Sequence, residues 1–185
     1  MRLIIILSIL LYSCASISPL EGGDKDTQAP VLIKSNLKET NFTESEINLE
    51  FDEYVELNKP ETNIKIYPEH TTLKFSVNKK KITVKFDSTL HSNTTYYLKI
   101  DNGIKDVREG NLYSYDYLLS TGSVRDTGQV NIIIPNIKSF KNIKIALTHG
   151  EVKDSLRKFP FVYILPGNTE NISFKGLSDK TYTCW

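Results

Sequence analysis

Between Ile47 and Leu119 the chain repeatedly sets an apolar residue at every second position, then interrupts the pattern with polar, turn-forming residues. Successive side chains of a strand point to opposite faces of a sheet, so this period marks strands with one buried face. Ile82, Val84 and Phe86 alternate with Thr83 and Lys85; Tyr96, Leu98 and Ile100 alternate with Tyr97, Lys99 and Asp101; His91-Ser92-Asn93 separates the two runs. Two Asn/Gly turn signals follow, Asp101-Asn102-Gly103 and Glu109-Gly110-Asn111. Tyr113, Tyr115 and Tyr117 then share one face of a strand that stops at Ser120-Thr121-Gly122. Upstream, the same reading predicts strands at Val31-Leu32-Ile33 behind Pro30, at Ile47 to Phe51, at Ile64 to Ile66 and at Leu73 to Val77, with a tight turn at Asn78-Lys79-Lys80. Seven strands with turns at roughly eight to twelve residues form the pattern of a Greek-key sandwich, and no helix longer than a turn is expected.

After Gly122, Ser123 to Thr127 reads as a short linker, and the alternation resumes. Val130, Ile132 and Ile134 form one set, Ile143, Ile145 and Leu147 a second, and Phe161, Tyr163 and Leu165 a third. The expectation is an all-β chain: a β-sandwich over residues 30–122 and a second small β-sandwich-like domain over residues 127–185.

Charge and composition add exclusions. Lys plus Arg number 23 against 22 for Asp plus Glu, so no basic field exists to gather nucleic acid. Ten Tyr and eight Phe, with abundant Ile, favour strands over helices. The first residues depart from this picture. Met1-Arg2 precedes an apolar run from Leu3 to Leu11, too short for a permanent span and suited to a signal peptide. Leu11-Tyr12-Ser13-Cys14 follows at once and resembles the lipobox of bacterial lipoproteins, in which cleavage before the cysteine leaves a thiol that carries diacylglycerol. That resemblance implies a signal peptide at residues 1–13, lipid attachment at Cys14, and no disulfide partner for Cys184. Acyl chains contribute roughly 0.8 kcal/mol per buried methylene, so several together hold a protein on a membrane. Ala15, where an aspartate would retain the protein at the inner membrane, implies sorting to the outer membrane. Residues 14–29, rich in Ser, Gly and Asp and without apolar period, read as a flexible tether.

Thr27-Gln28-Ala29-Pro30-Val31, Ile47 through Val55, Asn93-Thr94-Thr95-Tyr96 and Glu109-Gly110-Asn111 resemble the bacterial Ig-like domain first described in S-layer proteins. With Gly22-Gly23-Asp24-Lys25-Asp26-Thr27-Gln28-Ala29-Pro30 behind the lipobox, residues 11–122 resemble the Ig-like lipoproteins of Bacteroidetes. The resemblance implies an Ig-like Greek-key β-sandwich and an anchored, non-catalytic role. Gly176 to Tyr182 resembles the Leu-x-x-Gly-x-Tyr turn of carboxypeptidase-regulatory-like domains, with Lys180 where glycine is usual. Such a domain continues for further strands, so with Trp185 as its last residue the second unit is short or the record is truncated.

Candidate chemistry is sparse. Asp52, Glu53 and Glu56 cluster in sequence, but adjacent carboxylates on a strand face opposite ways. Asp101, Asn102, Asp106, Glu109 and Asn111 offer oxygen donors for calcium without the spacing of an EF-hand loop. His70, His91 and His149 are far apart, whereas zinc needs three or four converging ligands. No Gly-x-Ser-x-Gly or phosphate loop occurs. The expectation is therefore no catalytic residue, no metal and no cofactor. Tyr113, Tyr115 and Tyr117 are the candidate ligand-binding residues, since an aromatic stripe can stack on sugars or partner surfaces as well as cover a neighbouring strand. The expected partners are a membrane, through the lipid anchor, and an envelope protein or glycan. The expected role is structural, adhesive or docking; the alternatives are a carbohydrate-binding module and the N-terminal fragment of a larger envelope enzyme.

Overall fold

The computed structural model describes residues 23–135, 144–150, 163–166 and 171–184. Cys14, the apolar run before it, Ile143 and Phe161 lie outside the described residues.

Two antiparallel sheets build the first unit. One comprises β1 (Leu32–Ser35), β2 (Glu46–Phe51), β5 (Leu73–Asn78) and β6 (Lys81–Phe86), in the order β1-β2-β6-β5. The other is built on the long β7 (Thr95–Asp106), which pairs with β8 (Leu112–Ser120) along one side and with β4 (Ile64–Tyr67) and then β3 (Val55–Leu57) along the other. A single turn, α1 (Pro60–Asn63), links β3 to β4. The period-two residues face each other between the sheets: Ile47, Leu49, Phe51, Ile82, Val84, Tyr96 and Leu98 are all 0% exposed. Each such side chain contributes roughly 1.5–3 kcal/mol by leaving water. This is a β-sandwich, as the alternation and spacing lead one to expect, and an Ig-like one, as the family resemblance implies.

Three local features differ from the sequence reading. Val55-Glu56-Leu57 forms a strand too short to show a period. Asp101-Asn102-Gly103 is a bulge inside β7, not a turn: the register with β8 shifts between Ile100 and Ile104, and Asn102 sits at φ 54. Here β7 changes partner from β4 to β3, with Asn58 N–H donating to the Gly103 carbonyl (2.9 Å). A side chain at Gly103 would strike Ile64, since a Cβ there would lie 2.5 Å from Ile64 Cγ1. Finally, the short linker of Ser123 to Thr127 is fastened to the sandwich, which its sequence does not show. Ser120 Oγ donates to the Val124 carbonyl (2.5 Å), Asp126 N–H to Thr95 Oγ1 (2.8 Å), and Arg125 pairs with Glu39 at 3.5 Å.

Beyond it, β9 (Gly128–Ile133) pairs with β12 (Asn171–Leu177), and β10 (Lys144–His149) lies between β11 (Tyr163–Pro166) and β13 (Tyr182–Cys184). The sequence reading does not name β12, although Ile172 and Phe174 alternate with Ser173 and Lys175 and are buried in that strand. Ile145, Leu147, Ile172, Phe174 and Leu177 form one apolar cluster with Tyr67 and Tyr97 of the first unit. Tyr97 belongs to the face of β7 that looked polar, yet it is 1% exposed, because this second set of strands covers it.

Candidate functional site

The tyrosine stripe forms as the strand pairing dictates. Tyr113, Tyr115 and Tyr117 all point to one face of β8, with successive ring centroids 6.0 Å apart and planes within 24° and 20°. That face is turned inward. All three rings pack against the sandwich core, and Tyr113 meets Phe51 edge-on at 5.1 Å. Burial pushes the Tyr113 phenol up to about 12, with a smaller push from Tyr115, and it raises Tyr115 and Tyr117 as well. Tyr115 is thus stacked on both faces, Tyr113 and Tyr117 each on one, and all three are only partly buried where they pack against the core.

At the end of the sandwich where the chain first touches it, Asn111 Nδ2 donates to the Asp26 carbonyl (3.1 Å) and Val31 N–H to Asp52 Oδ1 (2.8 Å). The tether expected to run to Ala29 is therefore held from Asp26. Asp106, 1% exposed, sits in the β7–β8 turn. Its Oδ1 accepts the N–H groups of Glu109 (2.6 Å) and Gly110 (3.0 Å), and its Oδ2 accepts that of Asn111 (2.7 Å). Burial alone would raise this carboxyl; the donated N–H groups outweigh it and hold the group below its ordinary value of 3.8. Both oxygens are spent on the turn, while Asp101 and Asn102 belong to the bulge. Among the described residues no three His, Cys, Asp or Glu side chains are grouped to hold a metal ion. Glu53 is nearby and is raised, first by desolvation and then by the carboxylates of Asp106, Asp52, Asp26 and Glu109.

The two carboxyls imply opposite pH dependences. The lowered Asp106 contributes stability that is complete above its unfolded value near 3.8 and lost as pH falls through the folded one. The raised Glu53 has an ionised form that folding disfavours, a penalty absent at acid pH and present at neutral pH. Asp106→Asn is expected to lower Tm at neutral pH and to matter progressively less in acid, whereas Glu53→Gln raises Tm slightly at neutral pH alone. Melts of both variants across acid and neutral pH check this. An Asp106→Asn penalty that stays constant down to the most acid sample contradicts it.

At the opposite end, His70 and His91 stack at 4.1 Å beside Tyr96, whose Oη accepts the His91 backbone N–H (2.9 Å). Next to them lies an open hollow of about 530 Å3 between the loop before β2, the loop after β6 and the chain leaving β8. Phe42, Phe86 and Leu90 supply its apolar lining, with Phe42 and Phe86 edge-to-face at 6.4 Å. Thr43, Ser45, Ser88, Thr89, Ser92 and Thr121 ring it with hydroxyls, and Glu44 and Asp87 are its charged lining residues. Sequence reasoning passed over this site. The hydroxyl runs on either side of β2 and β6 were visible, but nothing local shows that the two loops meet.

The comparison with known families agrees with this geometry. The family model for a bacterial Ig-like domain matches residues 26–121, from the first residue hydrogen-bonded to the sandwich to the residue after β8. No curated protein matches the chain.

Proposed function

The chain belongs to the bacterial Ig-like domain family, and on that premise we propose that it is a non-catalytic cell-envelope protein, lipid-anchored at Cys14, that holds a docking end away from the membrane. Ig-like domains of this kind serve structural or docking roles in extracellular or cell-surface proteins. In this reading residues 1–13 are the signal peptide, the chain from Cys14 to the contact at Asp26 is the tether, and Ala15 directs sorting to the outer membrane. The strands after Thr127 are a second small β domain seated on the first.

The observation that supports the reading is the position of the two ends. The chain meets the sandwich at Asp26, beside the turn after Asp106, while Thr95, where Asp126 is bound, lies at the other end of β7. Eleven steps of extended chain span roughly 35 Å. A protein tethered at Asp26 thus presents the loops around Thr121 on its far side. Feeding cells radiolabelled palmitate tests the anchor. The wild-type protein takes up label and sediments with the envelope, and Cys14→Ala does neither; label retained by the variant overturns the anchor.

A further inference from the structure

We propose that the hollow between Phe42–Ser45, Phe86–Leu90, Ser92 and Thr121 is a binding site for a neutral, hydroxyl-rich ligand, an uncharged saccharide. The argument starts from what lines it. No Lys, Arg or His side chain is among its lining residues, so an anionic ligand would find no counter-charge. Its two carboxylates already face cations outside the hollow: Glu44 pairs with Lys38 at 3.7 Å and Asp87 with Lys74. A cationic ligand would have to displace those lysines, whereas a neutral one keeps both pairs. The remaining polar groups are hydroxyls, each able to donate and to accept, which is the capacity a sugar hydroxyl presents in return.

Those hydroxyls are available, and the backbone that carries them is fixed. Among the described residues, the side-chain oxygens of Thr43, Ser45, Ser88, Thr89 and Ser92 have no protein hydrogen-bond partner. The chain beneath them is held: Ser88 N–H donates to Thr71 Oγ1 (3.0 Å), the Thr89 carbonyl meets His70 Nε2 (3.3 Å), and Thr121 Oγ1 donates to the His91 carbonyl (2.7 Å). A preset loop with unspent donors and acceptors loses little entropy on binding. Leu90 and the rim of Phe86 add apolar surface for the C–H face of a sugar ring. The volume, about 530 Å3, falls within the range of small-molecule sites. A site on loops at the end of a sandwich, on the side turned away from Asp26, is also open to a large glycan.

The proposal deepens the docking reading without resting on the anchor. A Cys14→Ala protein that keeps its label leaves this site standing, and failure to bind sugar leaves the anchor standing. The test is amide chemical-shift mapping of the full 15N-labelled chain with maltose, cellobiose and N,N′-diacetylchitobiose, beside glucose 6-phosphate and glucosamine as charged counterparts. At least one neutral disaccharide is expected to shift residues 43–45, 86–90 and 121 saturably, with the two charged sugars weaker. Removing two rim hydroxyls in Thr43→Ala/Thr89→Ala should weaken binding about tenfold with Tm unchanged, as both are exposed. Tyr115→Phe should leave binding intact. Shifts confined to Tyr113–Tyr117, binding by the charged sugars alone, or no shift in these loops at millimolar sugar would each overturn the assignment.

Discussion

Replacing Phe51 with alanine is expected to cost about 3–5 kcal/mol, a large part of the about 5–15 kcal/mol by which whole domains are stable. Phe51 is 0% exposed at the end of β2, and its N–H donates to the Lys80 carbonyl at 2.8 Å. Its ring fills the space between the sheets, and Tyr113 rests on it at an interplanar angle of 85°. Alanine removes the apolar area and leaves a void that the paired strands on either side cannot close. Urea denaturation followed by tryptophan-independent circular dichroism measures the loss. The tyrosine ladder supplies a second readout: with Phe51 gone, the Tyr113 phenol should titrate closer to its ordinary 10.0 than to about 12, visible as phenolate absorbance. A loss below about 1 kcal/mol, in the range of surface substitutions, would mean that the side chain does not sit between the sheets.

The central strands were legible because each buries one face only. Ile82-Thr83-Val84-Lys85-Phe86 and Ile47-Asn48-Leu49-Glu50-Phe51 state their own orientation, and burial follows it residue for residue. The pattern failed where a second physical demand was superimposed. On β7, Tyr96, Tyr97 and Leu98 are all buried, since this strand is covered on both faces, and the alternation Tyr96/Tyr97 holds no sign of what lies over Tyr97. At Asp101-Asn102-Gly103 the residues suited to a turn are used for a bulge; both need a residue such as Asn102 at positive φ, so the local signal is the same. The tyrosine stripe shows a similar ambiguity. Sequence placed three rings on one face, but whether that face meets the core or a ligand depends on β8 lying beside β7 with its rings over Phe51. The hollow around Leu90 was the least legible feature, because Thr43 and Thr89 become neighbours only through the pairing of β2 with β6.

That second covering layer carries the other large expected effect. Phe174→Ala should also cost about 3–5 kcal/mol, but it should act on the attachment of β9–β13 and leave the first sandwich folded. Phe174 is 0% exposed on β12, in the cluster that includes Tyr67 and Tyr97. Those two rings are stacked at 6.3 Å, each 1% exposed. Beside them Lys175 Nζ reaches Asp116 Oδ2 at 2.9 Å and lies 5.7 Å from the Tyr97 ring centroid. The ion pair is about one-third exposed on both sides, so it is worth at most about 1 kcal/mol, and the apolar cluster decides whether the layers stay together. Lys175→Ala should therefore shift Tm only slightly. Phe174→Ala should separate a low-temperature transition from that of the sandwich and render the chain after Thr127 sensitive to protease, with cleavage leaving residues up to Thr121 intact. The Tyr67 phenol, held high first by burial and then by the Glu69 carboxylate, should titrate lower once uncovered. A single transition, shifted as far by Lys175→Ala as by Phe174→Ala, would show that the charge at Asp116 and not the packing over Tyr97 joins the two layers.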